Sequence, residues 1–356
     1  MAPILRYEDY RIAWIAVLPI ETEAAVRMFD RRHDGHFESL PGDSTSSLFI
    51  GGEICGHNVV IATWPIGQSY GIGSAAELAT DVRRRFRNIW FALLVGVAAG
   101  IPNLSDDPLQ RRDIRLGDVL VCVPDQLSPG IVQYDHGKYT SSDGGIKFTP
   151  TGRQAQTDAV IRRAFGYIKY TSEFPFEDGN ECAQYLKAVQ PPDRPSKFDC
   201  PPQEHDILLA TRSADTSEAM VVPRPKRPDS CRTYVWYGRI GSGNALVKSA
   251  RKRDQLRDDY GIIGLEMEAA GTMNILPAGV IRGVCDYADG QKDKRWQPYA
   301  AAAAAAYAKC ILHHTTPHKR QASDRPLKPL KPVRRNIIDL RFSAFQNRFR
   351  WGLYGR

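Results

Sequence analysis

Blocks of apolar and polar positions alternate along the first hundred residues. Residues 12–18 (IAWIAVL) form a short apolar run that predicts a buried strand, and 21–29 (ETEAAVRMF) behind it has helical spacing. The same pair recurs as a strand over 58–63 (NVVIAT) and, after GIGS, a helix over 75–86. A third strand is predicted over 90–95 (WFALLV), ending in the small-residue turn GVAAG at 96–100. Strand-to-helix alternation of this kind predicts an α/β sheet, much of it parallel and buried on both faces. In such sheets ligands collect where strands end and turns begin. GIG at 71–73 and GVAAG are therefore the first places to expect a site.

Further strands are predicted over 116–124 (LGDVLVCVP) and 130–135 (GIVQYD). From 150 to 232 the pattern weakens, with more Pro, more charge and one helical stretch over 155–170, which predicts an elaboration of the fold. The main pattern resumes with a strand at 233–240, a helix over 245–259, a strand at 261–265 and a helix from Glu268. A strand over 279–285 (GVIRGVC) then leads into DYADG. The last helix, 297–313, contains seven consecutive alanines, whose high helix propensity suits them to it. No internal repeat is visible.

Composition is ordinary for a globular chain, with 42% apolar and 25% charged residues in 356. No apolar run reaches the roughly 18 residues that span a bilayer. The N-terminus reads as a first strand and not as a signal peptide. Seven scattered cysteines, none in a CxxC pair, point to a reducing, cytoplasmic setting and away from a metal site. Net charge is +8, but residues from Pro317 onward hold eleven Lys and Arg against two Asp, leaving 37 basic and 38 acidic residues in 1–316. The body is neutral, so a nucleic-acid-binding core is not expected, nor is a membrane partner for it, while RNA or membrane-surface binding by the basic tail stays an alternative. The Pro/Lys/Arg-rich segment 317–356 is expected to be a mobile tail beyond a domain of residues 1–316.

Three acidic clusters fall at predicted strand ends. In LEMEAAG (265–271), Glu266 and Glu268 flank Met267; a carboxylate there suits the vicinal hydroxyls of a sugar, and a thioether suits its apolar face. In RGVCDYADG (282–290), Asp286 follows an apolar strand directly, where a partly buried carboxyl group can act as a general acid. In LPIETEAA (18–25), Glu21 and Glu23 follow the first strand, and one of them could activate water. Each cluster has a structural alternative, since acids also favour helix N-termini and turns. His205 and the pair His313–His314 lack metal-ligand partners at useful spacing, GIGS is not a dinucleotide fingerprint, and Tyr134 could line a pocket.

In their order, LPIETEAA, GIGSAA, LLVGVAAGIP, RLGDVLV, YGRIGSGNAL, GLEMEAAG and VIRGVCDYADG resemble the purine nucleoside phosphorylase and 5′-methylthioadenosine nucleosidase superfamily. Within it they are most like the nucleoside-phosphorylase-like domains common in fungi. The resemblance covers residues 11–313, most weakly at 150–232. It implies a three-layer α/β/α sandwich around a mixed sheet, a homo-oligomer, no cofactor, and cleavage of a nucleoside N-glycosidic bond. Asp286 would protonate the purine at N7, Glu268 would hold the ribose hydroxyls with Met267 against the sugar, and Glu266 would lie close by.

The departures from that pattern bear on the nucleophile. Phosphorylases of the superfamily place arginines at the positions of Glu23 and around Leu94 and Val97, whereas the nucleosidases carry a water-activating glutamate matching Glu23. A phosphate dianion would meet a carboxylate here, which favours water. Leu246 stands where relatives often place a purine-stacking phenylalanine, and Ala98 and Ala99 stand where relatives usually have glycine or serine, which either narrows the pocket or signals a degenerate site. The expected function is therefore a purine nucleosidase using Asp286 and Glu23, with Glu266, Met267, Glu268, Val97, Ala98 and Leu246 around the substrate. A phosphorylase is the alternative, as is a non-catalytic nucleoside-sensing module, which the lack of a partner domain within these residues weighs against.

Overall fold

The structure is a computed structural model that describes residues 3–38, 47–68, 70–142, 145–191, 193, 195–213 and 216–317. The expected basic tail lies outside the described residues beyond Pro317. No helix among those described is long and apolar enough to cross a membrane, and all seven cysteines are free.

The apolar runs become the strands β1 (Ile12–Ile15), β3 (His57–Thr63), β4 (Phe91–Gly100) and β5 (Val119–Cys122), preceded in the case of β3 by its hairpin partner β2 (Leu48–Ile54). The chain continues with β6 (Ile131–Gln133), β7 (Val235–Ser242), β8 (Ile262–Glu266) and β9 (Ala278–Asp286). The helices are α1 (Pro19–Val26), α2 (Ile72–Arg85), α3 (Ala159–Thr171), α4 (Glu181–Ala188), α5 (Ala250–Tyr260), α6 (Ala269–Thr272) and α7 (Trp296–His313).

The sheet runs β8-β7-β5-β9-β4-β1-β3-β2, with β6 beside β7. It is mixed: β9 pairs parallel with β4 and antiparallel with β5. One edge also curls back, because β8 pairs antiparallel with the end of β4 at Gly264–Gly100 and Leu265–Ala99. Five strands, β4-β9-β5-β7-β8, thus close on themselves. This explains why GVAAG is strand and not turn. Two strands approach each other there, and only small side chains fit: a Cβ on Gly264 would lie 2.9 Å from the Ala99 carbonyl oxygen.

Helix α7 packs on β9 and β4, with α1, α3 and α4 against it; α2 packs on β3 and α6, and α5 on β8, giving helical layers around the sheet. All of Ala300–Ala306 are at most 1% exposed. Their methyl groups bring α7 so close to the sheet that a Cβ on Gly283 of β9 would collide with the Ala300 backbone. From the 150–232 stretch, Ile161, Phe165 and Ile168 of α3 and Leu186 of α4 join the same apolar core. The later part of that stretch docks through Arg227, whose guanidinium donates to both oxygens of fully buried Asp118 at 2.5 and 3.0 Å.

Candidate active site

The carboxyl ends of β1, β4, β8 and β9 converge on one cavity of about 200 Å³. Val97, Ala98 and Ala99 of β4 form one wall, Glu266, Met267 and Glu268 another, and Asp286 with Lys292 a third. Tyr70 and Leu246, both about half exposed, stand at the mouth, and Tyr134 lines the cavity. The GIG turn takes no direct part. It starts α2, with Gly71 at φ 119°, and only its neighbour Tyr70 reaches the cavity.

Of the two acids after β1, Glu21 faces this cavity and Glu23 does not. Pro19 opens α1, which puts Glu21 in the first turn, where its carboxylate folds back over the helix end. Glu21 Oε2 accepts the backbone N–H groups of Val17 (3.0 Å) and Leu18 (2.9 Å), and Oε1 accepts that of Val97 (2.8 Å). Glu23 lies two residues on, partly exposed, and pairs with Lys197 at 2.5 Å and Arg27 at 3.4 Å. The expectation for Glu23 is corrected on this geometry: helical rotation turns it away from the cavity, towards the 150–232 stretch. Leu94 likewise points into the core, fully buried.

Arg282 of β9, which the sequence reading passed over, binds the acids together. It is fully buried, and its Nη2 donates to Glu266 and, at 3.1 Å, to Glu268 Oε2. Its Nη1 lies 3.8 Å from Glu21 Oε1 and has no hydrogen-bond partner among the described residues. Glu266 also caps α6, accepting the N–H groups of Glu268 (3.1 Å) and Ala269 (2.9 Å). One guanidinium thus faces three buried carboxylates. Burial raises the Glu21 pKa, opposed by Arg282 and three backbone N–H groups. Burial likewise pushes Glu268 up to about 8, against Arg282 and with help from Glu266 and Glu21. The cluster is built to hold a proton.

Asp286 ends β9 and lines the same cavity. Its Oδ1 accepts the Ala288 N–H at 3.0 Å, its Oδ2 lies 3.1 Å from Lys292 Nζ, and Cys285 Sγ donates to Oδ2 at 3.6 Å. Burial works against the Lys292 charge, but Asp286 more than offsets it and raises the lysine's pKa. Away from the cavity, Glu181, Cys310 and His314 bring a carboxylate, a thiol and an imidazole within 4.8 Å of one another. This is a grouping with metal-ligating donors that linear spacing does not reveal.

The fold is shared with solved nucleosidases and a futalosine hydrolase. The 5′-methylthioadenosine/S-adenosylhomocysteine nucleosidase of Neisseria meningitidis, solved with methylthio-immucillin-A, matches with a TM-score of 0.52 at 18% identity, over 85% of this chain and 99% of that one. The futalosine hydrolase of Helicobacter pylori matches with a TM-score of 0.52 at 15% identity, over 86% and 98%. In sequence, the chain is 38% identical over 313 residues to a nucleotide-binding leucine-rich repeat (NLR)-like protein of Hyaloscypha variabilis. The match covers 87% of this chain but spans about 30% of that relative's length. No family model matches the chain.

Proposed function

We propose that the cavity is the active site of a purine nucleoside N-ribosyl hydrolase. The observation that carries this reading is that one cavity brings Asp286 together with Glu21, Glu266 and Glu268, three acids that Arg282 links behind the lining. Cleavage of an N-glycosidic bond builds positive charge on the sugar and negative charge on the base. Asp286 is the general acid to the purine, and Glu268 holds the ribose hydroxyls with Met267 against the sugar. Glu21 takes the role that the family resemblance implied for Glu23: its Oε1 accepts a proton from the attacking water while Arg282 Nη1 orients that water. The solved nucleosidase and futalosine hydrolase that share the fold support the reaction class.

Water is favoured over phosphate because three carboxylates face Arg282, the one cation of this cluster among the described residues. A dianion placed beside them would lack a free guanidinium. Incubation with adenosine, inosine and guanosine, with and without phosphate, tests the proposal. Free ribose in both conditions is expected; ribose-1-phosphate formed only with phosphate would establish the phosphorylase instead. Asp286→Asn should lower kcat by about 10²–10⁴-fold, and a rate within a few-fold of wild type removes Asp286 from the acid's role.

The NLR-like relative favours a second reading, in which this unit senses nucleosides within a larger signalling protein. Tight nucleoside binding with no turnover would select it.

A further inference from the structure

Tyr287 follows Asp286 in the chain and is 1% exposed. Its hydroxyl donates to Asp206 Oδ1 and accepts from Arg224 Nη2 at 2.9 Å and from the Leu116 N–H at 3.0 Å. Arg224 also lies 5.1 Å over the Tyr287 ring and donates to the Asp206 carboxylate (2.9 Å) and the Ile114 carbonyl (3.2 Å). Two residues further on, Asp289 Oδ2 accepts the Leu209 N–H at 2.9 Å. Asp206, Leu209 and Arg224 therefore grip the DYADG loop on either side of Ala288.

Ala288 itself has φ 54°, a left-handed backbone that a side-chain-bearing residue adopts only at a steric cost. Such a turn persists only when its surroundings over-determine it. The Ala288 N–H is also the donor that fixes Asp286 Oδ1. The chain of dependence runs from Asp206 and Arg224, through Tyr287, to the left-handed turn, and from the turn to the Asp286 carboxylate.

We infer that Asp206, Arg224 and Tyr287 are positioning residues for Asp286, so that the 150–232 stretch aims the acid while taking no direct part in the chemistry. This inference rests on the proposed role of Asp286. Replacing Tyr287 by Phe removes the hydroxyl and keeps the ring, and it leaves the Arg224–Asp206 ion pair intact at 2.9 Å. A misaimed acid at otherwise unchanged binding should lower kcat on a purine nucleoside by roughly ten- to a hundredfold, with KM within about threefold.

The control is a riboside whose leaving group departs as a stable anion, such as p-nitrophenyl riboside. That bond breaks without a proton donor, so Tyr287→Phe should cleave it at close to the wild-type rate. Equal loss on both substrates would show a merely structural role and overturn the inference. If Asp286→Asn abolishes nucleoside hydrolysis while Tyr287→Phe does not affect it, the inference fails and the acid stands. If Asp286→Asn stays active, the acid reading fails, and the inference with it. A wild-type chain that cleaves no nucleoside overturns both. Should Tyr287→Phe not fold, Asp206→Asn, which keeps an oxygen acceptor but weakens it, allows the same comparison.

Discussion

Arg282 is the residue whose removal the structure makes most costly. Arg282→Met keeps much of the volume of a fully buried side chain and deletes the cation that Glu21, Glu266 and Glu268 share. Breaking a buried ion pair from one side costs about 3–5 kcal/mol. At about 2 °C per kcal/mol for a chain of this size, the Tm should fall by roughly 6–10 °C. The loss has a pH signature. Glu268 is already pushed up to about 8 from an ordinary value of 4.5, so its neutral form favours the folded state. Stability from that group is fully present below about 4.5 and is lost as pH rises through 8. Without Arg282 the penalty for ionising Glu268 and Glu21 grows, and protonation removes it. Thermal melts followed by circular dichroism at pH 5.5 and 8.5 should therefore show the larger deficit at pH 8.5. An equal deficit at the two values, or one below about 2 °C, would refute the account of a single guanidinium holding three acids.

Two further substitutions separate the acids after β1 and test the packing behind the site. Glu21→Gln should lower kcat for nucleoside hydrolysis by about 10²–10⁴-fold, whereas Glu23→Gln, which loses only its partly exposed ion pairs, should leave kcat within about twofold in the same steady-state assay. Gly283→Ala drives a methyl group into the Ala300 backbone; overpacking of this kind costs about 1–3 kcal/mol, and urea unfolding should show a lower midpoint with an unchanged slope.

Much of the fold was legible because apolar runs such as IAWIAVL and NVVIAT have one reading, a strand covered on both faces. The site was legible only in part. Glu266, Glu268 and Asp286 stand directly at strand ends, so locating the strands located them. Glu21 and Glu23 lie within one helical turn, where choosing between them needs the helix phase. Pro19 at the first helical position was the available signal. Arg282 carried a signal as well: a lone charge inside GVIRGVC must be buried, and a buried guanidinium requires carboxylates. GVAAG misled for a physical reason, since small residues mark both tight turns and the close approach of two strands. The grip of Asp206, Leu209 and Arg224 on the DYADG loop could not be read in advance, because it joins side chains some eighty positions apart in a weakly patterned stretch.

The return of β8 to β4 has a bearing on how a substrate gets in. A sheet with a free edge can flex or splay there, but a ring of five hydrogen-bonded strands has none. The inner walls that carry Val97, Glu266 and Asp286 are held in fixed relation by backbone pairing around the whole circuit. If the cavity takes a substrate as proposed, adaptation to substrates of different size is left to the mouth, where Tyr70 and Leu246 stand on segments outside that ring. On the proposed reading, the closed part of the molecule sets the chemistry and its rim the selectivity.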